Sequence, residues 1–184
     1  MRWILTFGLL WPVQAFGLEI CDDLWLTRNL IFDRAGYCFG SVLGKSIFDN
    51  EGCTAGVPVL EDADQALVDR LREMEAEWEC DVDTSQDFLA VPSLGLRVGL
   101  VDLPIATGFE SSCLGWKGGR LPLRTERHED GILTGAARDG DDLSFQFEDV
   151  DGWSFVEVSQ NGIPAGGGWA KIELNEANCT ALAG

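Results

Sequence analysis

Six cysteines constrain this 184-residue chain more than any other feature: Cys21, Cys38, Cys53, Cys80, Cys113 and Cys179. An even count without a CxxC step reads as three disulfides and as folding in an oxidising compartment. His128 is the only histidine, so zinc lacks its ligand spacing, and no metal or other cofactor is expected. Three of the cysteines bound the densest stretch, CDDLWLTRNLIFDRAGYCFGSVLGKSIFDNEGC, from Cys21 to Cys53.

The N-terminus agrees with that compartment. Residues 1–17 read as a signal peptide, in which Arg2 is the basic region, Trp3 to Trp11 the apolar core, and Ala15 or Gly17 the cleavage position. The apolar run is shorter than the roughly 20 residues a spanning helix needs, so no membrane anchor is expected. Glu19 and Ile20 stand where lipid attachment to Cys21 would want small residues. The expected location is periplasmic or secreted.

Thirteen Lys and Arg against 31 Asp and Glu give a net charge of −18. Such a surface repels phosphate backbones, so nucleic acid is excluded as a ligand, and anionic lipid or wall polymer is disfavoured. A cationic partner would be attracted, although acidity also serves solubility alone.

Residues 18–90 read as a small helical domain. Asp22 or Asp23 can cap a helix from about Leu24, and Gly36 can end it in a left-handed conformation. Leu24, Trp25, Ile31, Phe32 and Ala35 fall on one arc of that helix, with Arg28 in its middle. An arginine there needs a carboxylate or carbonyl partner, which makes it a structural tie to the next helix or, alternatively, an anion site. Asn29, at the edge of the arc, is expected to tie a loop to the helix. A second helix spans Leu43 to Phe48. A third carries Ala63, Leu67, Leu71, Met74 and Trp78 on one seam and Asp62, Asp69, Glu73 and Glu77 opposite, a solvated acidic face without calcium-loop spacing. If three helices run up, down and up, Cys21 meets Cys53 and Cys38 meets Cys80, one of three possible pairings.

The run Leu24-Trp25-x-x-Arg28-Asn29-Leu30-Ile31-Phe32-Asp33-Arg34-Ala35-Gly36-Tyr37-x-Phe39, followed by the short second helix, resembles the YARHG domain, a small extracellular bacterial module. Arg28, Asn29, Arg34, Gly36 and the aromatic after it stand in place, over residues 22–80. Phe32, Asp33 and Ala35 depart from the naming motif, and the cysteines are additions. The resemblance implies a disulfide-bonded relative and brings no catalytic residues.

Beyond Pro92 and Gly95 the period changes to alternation. Leu96, Val98 and Leu100 alternate with Arg97, Gly99 and Val101, and further runs follow at Leu121–Arg124, Leu143–Phe147, Trp153–Val158 and Trp169–Ile172. Short strands between Gly- and Asp-rich turns predict a small β-barrel over 94–184. The order of parts in 119–174 resembles a bacterial SH3 domain: a Leu-x-Leu-Arg strand, a turn at Gly135, Gly140-Asp141, Gly152-Trp153 and Gly168-Trp169. Residues 94–103 would be an added strand, and Cys113 with Cys179 would staple the added element to the C-terminal tail. The resemblance implies ligand binding through exposed aromatics, for which Trp116, Trp153 and Trp169 are the candidates; each is alternatively a core residue.

The fold class is therefore α+β, a helical domain followed by an SH3-like barrel. His128 lies in the polar run Arg127-His128-Glu129-Asp130, a loop, and no nucleophile–base–orienter set is legible. The chain is expected to be no enzyme but a binding protein for an envelope protein or a cell-wall peptide, with its oligomeric state open. The alternatives are a carboxylate-based hydrolase and an acidic inhibitor of a cationic secreted enzyme.

Overall fold

The computed structural model describes residues 20–184 apart from Ala55, so the signal-peptide reading of residues 1–17 lies outside the described residues. Four helices precede and flank a sheet: α1 (Ile20–Arg34), α2 (Val42–Ile47), α3 (Asp62–Glu77) and α4 (Leu94–Val98). Seven strands follow: β1 (Ala106–Trp116), β2 (Leu121–Arg124), β3 (Leu133–Ala137), β4 (Asp142–Phe147), β5 (Ser154–Gln160), β6 (Ile163–Ala170) and β7 (Cys179–Ala183). Among the described residues no helix is long and apolar enough to cross a membrane.

The first helix is buried on two sides rather than along one arc. Trp25, Leu26 and Leu30 pack against Phe39, Leu43, Phe48, Leu89 and Val91. Leu24 and Ile31 pack against Val68 and Leu71 of α3. Each fully buried leucine stabilises by about 1.5–3 kcal/mol, so a helix with two apolar sides can organise a small unit. Its end is a complete Schellman motif: Gly36 takes φ +82°, its N–H reaches Asp33 O, and Tyr37 N–H reaches Phe32 O. Asn50 then clamps the following loop, its amide bonding both Phe39 N–H and Phe39 C=O at 2.9 and 3.0 Å.

The disulfides join Cys21 to Cys80, Cys38 to Cys53, and Cys113 to Cys179. The expected pairs Cys21–Cys53 and Cys38–Cys80 are thus corrected. The reason is length. With about 1.5 Å of rise per residue, the six-residue α2 cannot retrace the fifteen-residue α1. Cys53 stays near Cys38, and α3 makes the return run that brings Cys80 to the start of α1.

The antiparallel sheet has the order β3-β2-β6-β5-β4-β1-β7. It is open, with β3 and β7 as free edges, and the expected closed barrel is corrected accordingly. The sheet still curls: Ala137 at one edge and Cys113, Trp116 and Cys179 at the other share a core with Leu123, Leu143, Val156 and Val158. Two hairpins turn through residue pairs with positive φ at both positions, Asp151-Gly152 and Asn161-Gly162, the geometry that matches strand twist. Gly135 pairs with Leu123 inside β3 and is not a turn.

Residues 94–98 form a helix, not the expected added strand. A run of this length fits either period; here the spacing of Leu96, Arg97 and Leu100 sets all three on the packed side. Arg97 is 1% exposed and donates to Asp23 of α1 at 2.5 and 2.9 Å, while Asp23 is 0% exposed. Its guanidinium lies 4.7 Å from the Phe147 ring centroid and 5.5 Å from that of Phe155. Thr27 completes the node, donating to Pro104 O at 3.3 Å. The first helix is further joined to the connection on either side of α4 by Arg34, which donates to Leu100 and Val101 carbonyls, and by Asp22, which accepts from Ala90 N–H at 2.8 Å.

Two outcomes follow from this arrangement. Asp23→Ala strands a buried guanidinium and should lower unfolding free energy by about 3–5 kcal/mol, whereas Asp23→Leu with Arg97→Met should recover most of the loss in urea titrations. Removing Cys21–Cys80, which closes 59 residues, should cost roughly 4 kcal/mol against about 3 for Cys38–Cys53, which closes 15; equal losses would contradict the loop-closure account.

Candidate functional site

On the sheet face beside Arg97 lies an open pocket of about 350 Å³. Ser144 and Gln146 of β4, Glu157 and Ser159 of β5, Pro164 and Gly166 of β6 and Glu110 of β1 form its walls, with Pro92 and Ser93 from the connection before α4. The space comes from small neighbours. Glu157 is paired with Ser144 on one side and with Gly167 on the other, so no bulky side chain stands opposite it. Gly167 could not carry one, since an added Cβ would meet Val156 O at 2.9 Å.

Glu157 is the chemically unusual member. Its Oε1 is fully buried without a hydrogen-bond partner. Burial pushes its carboxyl from the ordinary 4.5 up to about 7; Arg97 opposes this, and Asp23 and Glu110 add to it. Arg97 makes no hydrogen bond to it: both terminal nitrogens go to Asp23 and Thr27, and Nε is buried without a partner. A carboxyl that titrates near neutrality can carry a proton, donate it, or ionise when a cation arrives.

The three tryptophans expected to meet a ligand are all buried. Trp116 donates to Gly119 O at 2.8 Å, and Trp169 donates to Asp102 O at 2.9 Å. Trp153 lies beneath the Lys171 ammonium, 5.2 Å from its ring centroid. Each indole belongs to a core cluster because its strand presents that position inward. Arg28 donates to both carboxylate oxygens of Glu75 at 2.9 and 3.0 Å, joining α1 to α3. Asn29 donates to Trp25 O within its own helix at 2.7 Å, so it ties no loop. His128 is exposed in the β2–β3 loop, where its Nδ1 accepts from Asp130 N–H, and it does not line the pocket. Among the described residues no group of three or more His, Cys, Asp or Glu is placed to hold a metal ion.

Glu157 was missed because Val156 and Val158 flank it, which makes it look like the solvent side of an alternating strand. The available signal was Trp153, Phe155 and Glu157 at steps of two, an acid sharing a face with two large aromatics.

Residues 79–184 match the family described as a domain of unknown function (DUF4453), and residues 12–76 match the YARHG domain. No curated protein and no solved structure matches the chain.

The Glu157 carboxyl makes stability depend on pH in a defined direction. Below about 4.5 it is protonated folded and unfolded; between 4.5 and about 7 only the folded chain keeps the proton. Its contribution is therefore full at low pH and lost as pH rises through about 7, a loss of roughly 3 kcal/mol. Glu157→Gln should be more stable than wild type above pH 7 by up to that amount in urea titrations, and the gap should close toward pH 4.5. Parallel curves at all pH values would refute the assignment.

Proposed function

The chain belongs to the DUF4453 family, and for it we propose a non-catalytic binding role in the bacterial cell envelope, periplasmic or secreted, with a protein or wall-peptide segment as ligand. The observation that carries this reading is the Glu157 pocket, a concave site with two prolines, several neutral hydrogen-bonding side chains and one under-partnered carboxyl. Three disulfides fit an oxidising compartment, and the match of residues 12–76 to the YARHG domain fits an extracellular bacterial module. The SH3-like order of parts in 119–174 supports a binding role too, although the recognition surface offered here is a carboxyl-bearing pocket rather than exposed indoles.

One observation favours a second reading. Glu157, titrating near 7 beside Glu110, has the property of a general acid in a carboxylate-based hydrolase. The two readings part under one pair of measurements. Immobilised wild-type protein should retain an envelope protein or wall peptide from extracts, Glu157→Gln should retain markedly less, and neither should turn over wall or glycan substrates. Retention of nothing overturns the binding reading, and glycan turnover lost in Glu157→Gln would replace it with the hydrolase.

A further inference from the structure

We infer that the Glu157 pocket is a site for a primary alkylammonium group, held by the carboxylates of Glu157 and Glu110 and the side-chain oxygens of Ser144, Gln146 and Ser159. This deepens the binding reading above and rests on it. The charge, donor set and size of the pocket select that chemistry.

The lining contains two acids and no Lys, Arg or His, so an anionic ligand would meet only repulsion. Among the described residues the one cation that acts on Glu157 is Arg97, held behind the pocket against Asp23 and the Phe147 ring. A cation entering the pocket therefore meets a carboxyl that the protein leaves largely uncompensated.

Shape and donor count narrow the choice. A primary ammonium has three N–H donors on one centre, which suits oxygens converging from β1, β4 and β5. A guanidinium wants both oxygens of a carboxylate, and Glu157 Oε1 is closed to solvent, so the fork has no seat on Glu157 and would be left with exposed Glu110 alone. A quaternary ammonium offers no N–H donor, and the lining has no aromatic face to receive it. The pocket, at about 350 Å³, suits a short amine or one side chain rather than a folded surface.

Binding is linked to proton release. The charged groups facing Glu157 are Arg97 from α4, Asp23 from α1 and Glu110 from β1. With an empty-pocket value of about 7, the ionised fraction that welcomes an ammonium rises from roughly one tenth at pH 6 to nine tenths at pH 8. The same chemistry has two sources, a free diamine or the lysine side chain of a peptide, and the design separates them.

The test is calorimetric titration of the full disulfide-bonded protein at pH 6 and pH 8 with 1,5-diaminopentane, the capped tripeptide Ala-Lys-Ala, its Nε-acetylated form and tetramethylammonium. At least one of the first two should bind, about tenfold more tightly at pH 8 than at pH 6, and the last two should not. The tripeptide binding in preference to the diamine assigns the site to a peptide side chain, and the converse assigns it to free amines. Glu157→Gln should abolish the pH dependence and weaken binding at pH 8 at least about tenfold, while Glu110→Gln, on an exposed position of β1, should weaken it less. Far-UV circular dichroism and thermal midpoints verify that both variants fold. Absence of amine binding, equal binding of the acetylated peptide, or an unchanged pH response in Glu157→Gln overturns the assignment. If envelope material is still retained through Glu157 without competition from amines, the ammonium site fails and the binding reading stands. If amines bind but no envelope material is retained, the reverse holds.

Discussion

The Asp23–Arg97 pair is the interaction on which the rest of the structure depends. It sits where the helical layer, the connection and the sheet meet, with both side chains removed from water. Two buried charges cost several kcal/mol each to desolvate, and the return comes only from good geometry. Here that geometry is two parallel N–H···O bonds and an aromatic face from Phe147 beneath the guanidinium. The pair therefore contributes less to net stability than to uniqueness. Any other placement of α4 on the sheet would leave a guanidinium or a carboxylate buried alone. Asp23 lies in the stretch that matches the YARHG domain and Arg97 in the stretch that matches DUF4453, and Cys21–Cys80 crosses the same divide covalently. The two matched stretches are thereby tied together by a buried ion pair and a covalent bridge.

The same pair sets the chemistry of the pocket. Arg97 is near enough to pull the Glu157 carboxyl downward, yet its commitment to Asp23 leaves that pull too weak to offset burial. Asp23 itself adds a repulsive contribution from behind. Burial holds the Glu157 carboxyl near neutral pH, and the ion pair, which does not line the pocket, only modulates that shift. Its titration thus reflects both its burial on the sheet and the charges brought behind it by α1 and α4.

Much of the fold was legible from short-range signals. The order of helices before strands, the Gly36 terminus, four of the strands and the Cys113–Cys179 staple follow from periodicity, glycine chemistry and cysteine count. What was not legible depends on distance. The pairing of Cys21 with Cys80 follows from the relative lengths of α1, α2 and α3. Arg97 reads as the outward side of a strand because nothing local reveals a carboxylate 74 residues away. The glycine-rich half of β6 reads as loop because its strand character comes from pairing with β5. Glu157 is hidden for the same reason as Arg97: the groups that enclose it come from distant parts of the chain, and alternation alone assigns it to water. The three tryptophans show the converse, since a large aromatic next to glycine fits a surface or a core equally well until the curl of the sheet decides.

The connection between the two stretches carries the last link. Ser93 takes a left-handed conformation, φ +52°, immediately before α4, and it also lines the pocket. A non-glycine residue held there costs on the order of 1 kcal/mol, and it persists because the surroundings fix the direction in which α4 leaves. That direction places Arg97, one helical turn on, over Phe147 and against Asp23. One backbone turn therefore positions both a wall of the pocket and the charge behind it. A shift of Ser93 that widened the pocket would tilt α4 and strain a buried pair that tolerates little displacement. With that wall and that charge fixed by the same turn, the selectivity proposed for the pocket rests on Glu157, with exposed Glu110 contributing less.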